Sequence, residues 1–420
     1  MKVLYVNHTG QVSGGERSLL ELVRSAPPLV SPVVACPDGP LVETLRDACI
    51  PHVSIRGIDA SLKLDPRHTA IALSDIARSA RAVRAAARDH AVSVVHANSI
   101  RAGLIATRVA SRHRPPTIVH LRDRLPASRA STLALRAISK ADLLIANSCY
   151  TAASLDEAGV TCNRRVIGNP VDLDRFDPDR IDRSAARGAF GVASGDHIAL
   201  VLAQITPWKG QEEAIRAIAR VREQHSNVRL FLAGSAKFVS KTTRYDNRSY
   251  LDHLHHLVDE LSLRDRVKFL GECDDVPLLL RATDTLLIPS WEEPFGRTMI
   301  EAMAMRVPVI ATTVGGPSEV ITQWRDGLLA PPRNPEAWAR TIRNLIEAPM
   351  LRQRLARNGQ IRAQSYATAT HVEELRAVYA ELIATPHGWG GARSAVAAPP
   401  LADLGSAMAQ ESTAPAANAG

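Results

Sequence analysis

Residues 285–288 and 307–311 are short, nearly all-apolar runs, and between them lie a turn, Glu293-Pro294-Phe295-Gly296, and a helix-forming segment. That order of strand, loop, helix and strand limits the fold more than any other stretch of the chain. Each run is too short for a stable helix and has the composition of a strand covered on both faces. Parallel neighbours cannot be joined by a tight turn, so the helix between them reads as a crossover. Apolar runs at 2–6, 33–36, 53–55, 93–96, 117–120 and 142–146 repeat the alternation in the first half, with an Ala/Arg-rich helical stretch at 68–88. Runs at 198–203, 228–234 and 266–271 repeat it in the second. The expectation is an α/β chain of parallel, doubly wound sheets, whose ligands bind beyond the C-terminal ends of the strands. With 420 residues, two Rossmann-like domains of ordinary size can each bury a core.

The segment between the two runs also carries chemistry. Glu293 falls in the loop and Glu301 about two turns into the helix. Free amides at a helix start attract an anion, which two carboxylates would repel unless they turned towards neutral groups. An ionised carboxylate only accepts hydrogen bonds, so a vicinal diol suits it. A ligand with a central diphosphate and a diol at each end fits both halves of the pattern, and a nucleotide sugar is such a ligand.

Other strand ends offer candidates. After the first run, the stretch from His8 to Arg17 contains Gly14-Gly15, and a helical pattern begins around Ser18. A glycine loop there brings backbone amides close to phosphate, although neither the dinucleotide spacing nor a Walker lysine is present. His96, His120 and Ser148 stand at the ends of later strands, and Leu121-Arg122-Asp123-Arg124 follows His120. His253, His255 and His256 share a helix, but no acidic or thiol partner stands at metal-ligand spacing, so no metal or other cofactor is expected.

Lys+Arg outnumber Asp+Glu by 51 to 43, a net charge of +8 that suits anionic partners. Aromatic residues make up only 4%, and no basic run is interleaved with them, so a nucleic-acid partner is not expected. The five cysteines are odd in number and lack paired spacing, which fits a reducing cytoplasm. The N-terminal apolar run is too short for a signal peptide, and no stretch approaches the roughly 20 apolar residues that span a bilayer. Any membrane contact is expected to be peripheral, at an anionic inner face.

The run from Pro289 to Ala304 resembles the Glu-x7-Glu signature of retaining GT-B glycosyltransferases of family 4. The resemblance extends over about residues 1–384 and is stronger in the second half. It implies the GT-B fold, with two Rossmann-like domains facing a cleft and a C-terminal helix returning to the first. It implies a nucleoside-diphosphate sugar (UDP-, GDP- or ADP-linked) as donor, and a glycan, lipid-linked or small-molecule acceptor. Glu293 would hold the donor-sugar hydroxyls and Glu301 the ribose diol. Gly14, Gly15, Lys209, Gly210, Gly296, Thr298 and Met299 would surround the diphosphate. His120 would reach the reaction centre, with Lys209 and Glu293 as its catalytic companions, and Arg124 would hold the acceptor. The loop at 272–276 would hold the base.

Two positions depart from the family pattern. Gln204 stands where an arginine usually contacts the phosphates, and Gln carries no charge. Arg306 stands where Gly is usual. Asn169-Pro170-Val171-Asp172 resembles the turn that closes the first domain, which sets that domain at 1–172, a linker at 173–195 and the second domain at 196–365. A returning helix at 366–384 and a disordered, Ala/Pro-rich tail at 385–420 complete the chain. Two further readings stand beside the transferase: a nucleotide-sugar epimerase, and a non-catalytic nucleotide-sugar-binding protein.

Overall fold

The computed structural model describes residues 1–27, 29–58, 66–108, 114–237 and 245–385. The first lobe is built on β1 (Lys2–Val6), β2 (Ser31–Cys36), β3 (His52–Ser54), β4 (Val94–Ala97), β5 (Thr117–Leu121), β6 (Leu143–Ala146) and β7 (Arg164–Val166). They form one sheet in the order β3-β2-β1-β4-β5-β6-β7, every neighbouring pair parallel. The second lobe contains β8 (His197–Leu202), β9 (Val228–Ala233), β10 (Val267–Gly271), β11 (Thr285–Ile288), β12 (Val309–Thr312) and β13 (Leu328–Ala330). Their order is β10-β9-β8-β11-β12-β13, again all parallel.

The apolar runs are strands because helices cover both faces of each sheet. Alternate residues go to opposite sides: Leu4 and Val6 join one core of the first lobe, Val3 and Tyr5 the other. The second sheet likewise divides Ala199 and Val201 from Ile198 and Leu200. Strand order reverses between β1 and β4 in one lobe and between β8 and β11 in the other. Those are the points where adjacent crossovers leave on opposite faces and open a crevice beyond the strand ends.

The helix after β1 spans Gly14–Arg24, so the glycine pair forms its first turn and not a loop ahead of Ser18. The Glu16 carboxylate accepts the Ser13 backbone N–H at 3.1 Å and the Ser13 hydroxyl, a capping box that starts the helix despite two poor helix formers. Residues 173–195, read as a linker, are folded against the second lobe. A helix at Arg183–Ala189 lies within them, Phe176 is buried in that lobe's core, and Arg183 and Arg187 both pair with Asp284. The helix Thr368–Ala384 places Val372, Leu375, Val378 and Tyr379 in the first lobe's core beside Val3 and Tyr5. The chain thus crosses between lobes twice, and the crossings lie side by side. Val171 N–H donates to Tyr366 O at 2.8 Å, and Thr368 N–H to Val171 O at 3.0 Å. The expected disordered tail lies outside the described residues except for Thr385, as does 238–244 of the loop after β9. No described helix is long and apolar enough to cross a membrane.

Candidate active site

The loops after β8 and β11, on either side of the second switch point, are locked together. Gly210 has φ 72°, and a Cβ there would lie 2.0 Å from Pro289 O, so only glycine lets the Pro207–Lys209 turn pack against the next strand end. Trp291 N–H donates to Trp208 O at 2.8 Å, and the Trp291 indole to Glu213 at 2.9 Å. Lys209 Nζ rests 4.0 Å from the Trp208 ring centroid and 2.6 Å from Glu293 Oε2. Ser290 Oγ donates to the same carboxylate oxygen at 3.0 Å. Among the described residues, the side-chain hydrogen bonds to Glu293 all end on Oε2, which leaves Oε1 as an acceptor towards the cleft.

Gly315 holds the Glu293 loop from the other side. Its φ is 108°, and a Cβ would stand 2.1 Å from Glu293 O. Glu293 N–H donates to Val314 O at 3.1 Å, and Gly316 N–H to Glu293 O at 2.9 Å. The Gly315-Gly316 pair, legible only as a helix start, is a backbone clamp on the loop.

Several expected donor contacts take a different form. Gly296, at φ 89°, aims its carbonyl at the first turn of the helix Arg297–Ala304, and Met299 N–H donates to it at 2.9 Å. The Met299 amide is therefore spent within the helix, and the Thr298 amide is the one that remains. The Gly210 amide is likewise given to Pro207 O, so Gly210 acts through its conformation. Glu301 is 7% exposed, and its Oε1 accepts from Arg297 Nη2 at 3.0 Å.

Sequence reasoning missed Arg297. Its guanidinium crosses the cleft to Gly14 O at 3.1 Å, Ser18 Oγ at 2.8 Å and Glu21 Oε1 at 2.6 Å. Two helix starts, Gly14–Arg24 and Arg297–Ala304, are thus brought together with Gly14 and Gly15 at the contact. The other side of the cleft is closed by Ser148 Oγ donating to Pro294 O at 2.6 Å and Tyr150 Oη donating to Glu292 at 2.5 Å. There Glu319 accepts the Cys149 and Tyr150 amides at 2.7 and 2.6 Å, a carboxylate from one lobe seated on a helix start of the other.

Two expected site residues of the first lobe are engaged within it. His120 is 0% exposed, stacked on His96 with ring centroids 5.7 Å apart, and neither ring nitrogen has a partner among the described residues. The strand pleat turns it towards the C-terminal helix, and Arg122, two residues on along the same face, stands nearer the cleft. Burial first, then the Arg122 charge, drives the His120 pKa well below that of a free imidazole. Arg124 pairs with Glu157 and lies 4.4 Å over the Tyr150 ring, so it braces the helix Cys149–Glu157.

The side chain of Gln204, where the family pattern has arginine, donates weakly to Lys237 O at 3.3 Å, and its backbone carbonyl accepts from Gln211 Nε2 at 2.8 Å. In the loop expected to hold a base, Glu272 is bonded by Ser235 Oγ at 2.5 Å and Lys237 Nζ at 3.0 Å, and Asp275 caps a helix at Val276–Ala282. His253 bonds Glu212 at 3.0 Å, and His255 lies against Phe269. Arg306, the second departure, has φ 56° and pairs with Asp179 at 2.7 Å.

The chain matches the family models "Glycosyl transferases group 1" over residues 182–362 and "Glycosyltransferase Family 4" over residues 12–175. A D-inositol 3-phosphate glycosyltransferase of Salinispora tropica is 31% identical over 261 residues, 59% of this chain and 52% of that protein. The namesake of Mycolicibacterium vanbaalenii is 29% identical over 311 residues, 69% of this chain and 67% of that one. The match to the first of these relatives spans about half of its length. Anabaena HepE, solved in complex with UDP-glucose, superposes with TM-score 0.77 at 27% identity, covering 91% of this chain and 100% of HepE. Sucrose-phosphate synthase from Thermosynechococcus elongatus shares the fold, with TM-score 0.73 at 21% identity over 91% of this chain and 99% of that one.

Proposed function

Because the chain belongs to glycosyltransferase family 4 and has the GT-B fold, we propose that it transfers a sugar from a nucleoside-diphosphate sugar to an acceptor hydroxyl, with retention at the anomeric carbon. The observation that carries this reading is the Lys209–Glu293 pair at the second switch point, a cation for phosphate joined to an acceptor for hydroxyls. HepE is solved with UDP-glucose, which makes that the first donor to try.

The leaving group is a diphosphate, so the protein's task is to neutralise charge that develops as the C1–O bond breaks. Lys209, the Gly14 and Gly15 amides at one helix start and the Thr298 amide at the other would do this. Glu293 Oε1 would accept from the sugar. Glu301 would accept from the ribose while Arg297 holds it directed. The acceptor oxygen would bond to C1 on the face that the phosphate leaves, and its proton would pass to the departing phosphate oxygen. His120, buried and stacked on His96, would support the first lobe's side of the site from beneath. The acceptor would meet the loops of the first lobe. The relatives' name makes a polyol phosphate the first class to screen, ahead of glycan and lipid-linked acceptors.

A thermal-shift panel of UDP-, GDP- and ADP-sugars, followed by an acceptor screen with the sugar that stabilises most, tests the proposal. Stabilisation by one nucleotide series and transfer with the anomeric configuration kept are expected. No response to any of the three would overturn it. Binding without turnover is the second reading, favoured by the uncharged Gln204, and restored transfer in Gln204→Arg would identify it.

A further inference from the structure

Arg122 is held unlike any other arginine at the cleft. Its Nε donates to Asn98 O and Asn98 Oδ1, both at 3.1 Å, its Nη2 to Asn98 Oδ1 at 2.7 Å, and its Nη1 to Asn169 Oδ1 at 2.7 Å. Every one of these partners is a neutral amide oxygen. Among the described residues Arg122 makes no ion pair, whereas Arg297 beside it has two carboxylates, Glu21 and Glu301. The clamp is itself rigid, because Asn98 Nδ2 donates to Asn7 Oδ1 at 3.0 Å and Gly15 O at 3.2 Å. The guanidinium stem runs along the first turn of the Gly14–Arg24 helix, where a Cβ on Gly15 would come 3.3 Å from Arg122 Cδ.

A largely enclosed cation with no carboxylate bonded to it is costly, and neutral oxygens offset only part of that cost. Burial, then the Arg297 charge, push this guanidinium down to about 10, against the more distant carboxylates of Glu16, Asp123 and Glu21. Asn98 and Asn169 fix its orientation without cancelling its charge. An anion seated on the Gly14 and Gly15 amides would meet the remaining guanidinium N–H groups, and a phosphate has the geometry to accept them.

We propose that Arg122 is a phosphate-binding residue of the first lobe, supplying the donor diphosphate with a second positive charge opposite Lys209. The proposal rests on the donor reading above and gives the uncharged Gln204 its counterpart: the charge comes from the other lobe. Domain closure and leaving-group stabilisation are then one event, since Arg122 and Lys209 meet the same diphosphate only across a closed cleft.

The test compares UDP with uridine, or GDP or ADP with its nucleoside if the panel selects that series, on wild type and Arg122→Gln. Gln keeps hydrogen-bond donors near Asn98 and removes the charge. Diphosphate affinity is expected to fall about tenfold to a hundredfold while nucleoside affinity stays unchanged, with a weaker salt dependence. Arg122→Lys should retain part of the difference. Equal losses for diphosphate and nucleoside would mean a structural role and overturn the proposal, as would an unchanged diphosphate affinity. Should the Gln variant fail to fold, phenylglyoxal modification of wild type decides. Inorganic pyrophosphate is expected to protect Arg122 from the reagent, and modification at an undiminished rate overturns the proposal. A wild type that binds none of the three diphosphates overturns the donor reading first, and this inference with it.

Discussion

Lys209 Nζ and Glu293 Oε2 are 2.6 Å apart, one from the loop after β8 and the other from the loop after β11. Their side chains are only 17% and 10% exposed, so the pair is largely enclosed between the two loops. A phosphate entering the crevice would share the ammonium with Glu293, while Oε1 of the same carboxylate stays open to a sugar hydroxyl.

Glu293→Gln keeps the shape of the loop and removes the charge. Transfer is expected to fall by about 10²–10³ in kcat, the usual cost of one electrostatic contact to a transition state. Lys209→Met should lose a similar factor, and the double variant much less than the product of the two. Steady-state kinetics on the three proteins checks this, and full additivity would show that the two residues act separately.

Arg297→Ala leaves Glu21 and Glu301 without their shared cation. Burial already raises the Glu21 pKa, with Arg297 as the largest opposing influence. Donor KM is expected to rise roughly tenfold and thermal stability to drop, because breaking a largely buried pair leaves uncompensated charge. Glu21→Gln in the Arg297→Ala background should recover part of the stability, which differential scanning fluorimetry would register.

Glu319 caps the Cys149–Glu157 helix from the opposite lobe. Glu319→Ala should cost about 1 kcal/mol, the usual worth of a helix cap, and loosen that side of the cleft. Small-angle scattering should show a larger radius of gyration than wild type. An unchanged radius would mean that Arg297 and Ser148 suffice to hold the lobes.

Acid should destabilise the protein well above the carboxylate range. Burial lowers His96 to about 3, His371 to about 3 and His197 to about 4, and His120 moves in the same direction. These groups stay neutral when folded, but the unfolded chain protonates below about 6.5, so stability is lost as pH falls from there towards 4. Each contributes a slope of about 1.4 kcal/mol per pH unit inside that window. The raised carboxyls of Glu21, Asp123, Glu213 and Glu374 act in the opposite sense, from the unfolded carboxyl pKa upward. Urea denaturation at pH 7.5 and 5.5 checks the sign, and equal stability at both would contradict the burial of these rings.

Most strands were legible because a fully covered parallel strand announces itself as an apolar run, as at 198–203 and 285–288. Arg164–Val166 and Leu328–Ala330 were not placed as strands, since Arg164-Arg165-Val166 is mostly charged and Leu328–Ala330 runs straight into Pro331-Pro332. The start of the first helix was misplaced because two glycines argue against a helix while a Ser13–Glu16 capping box argues for one. Lys209, Glu293 and Glu301 stood out through spacing and resemblance. Arg122 and Arg297 did not, because an arginine looks the same in sequence whether solvent, a carboxylate or an amide surrounds it. The burial of His120 was illegible for a related reason: a strand end fixes which face a side chain takes, but not whether a returning helix covers it.

A crystal structure with the nucleotide sugar selected by the thermal-shift panel tests the central claim most directly. The account predicts the diphosphate between the Gly15 amide and Lys209 Nζ, with a sugar hydroxyl on Glu293 and the ribose diol on Glu301. A donor bound elsewhere, or one whose phosphates leave the Lys209–Glu293 pair undisturbed and untouched, would contradict it.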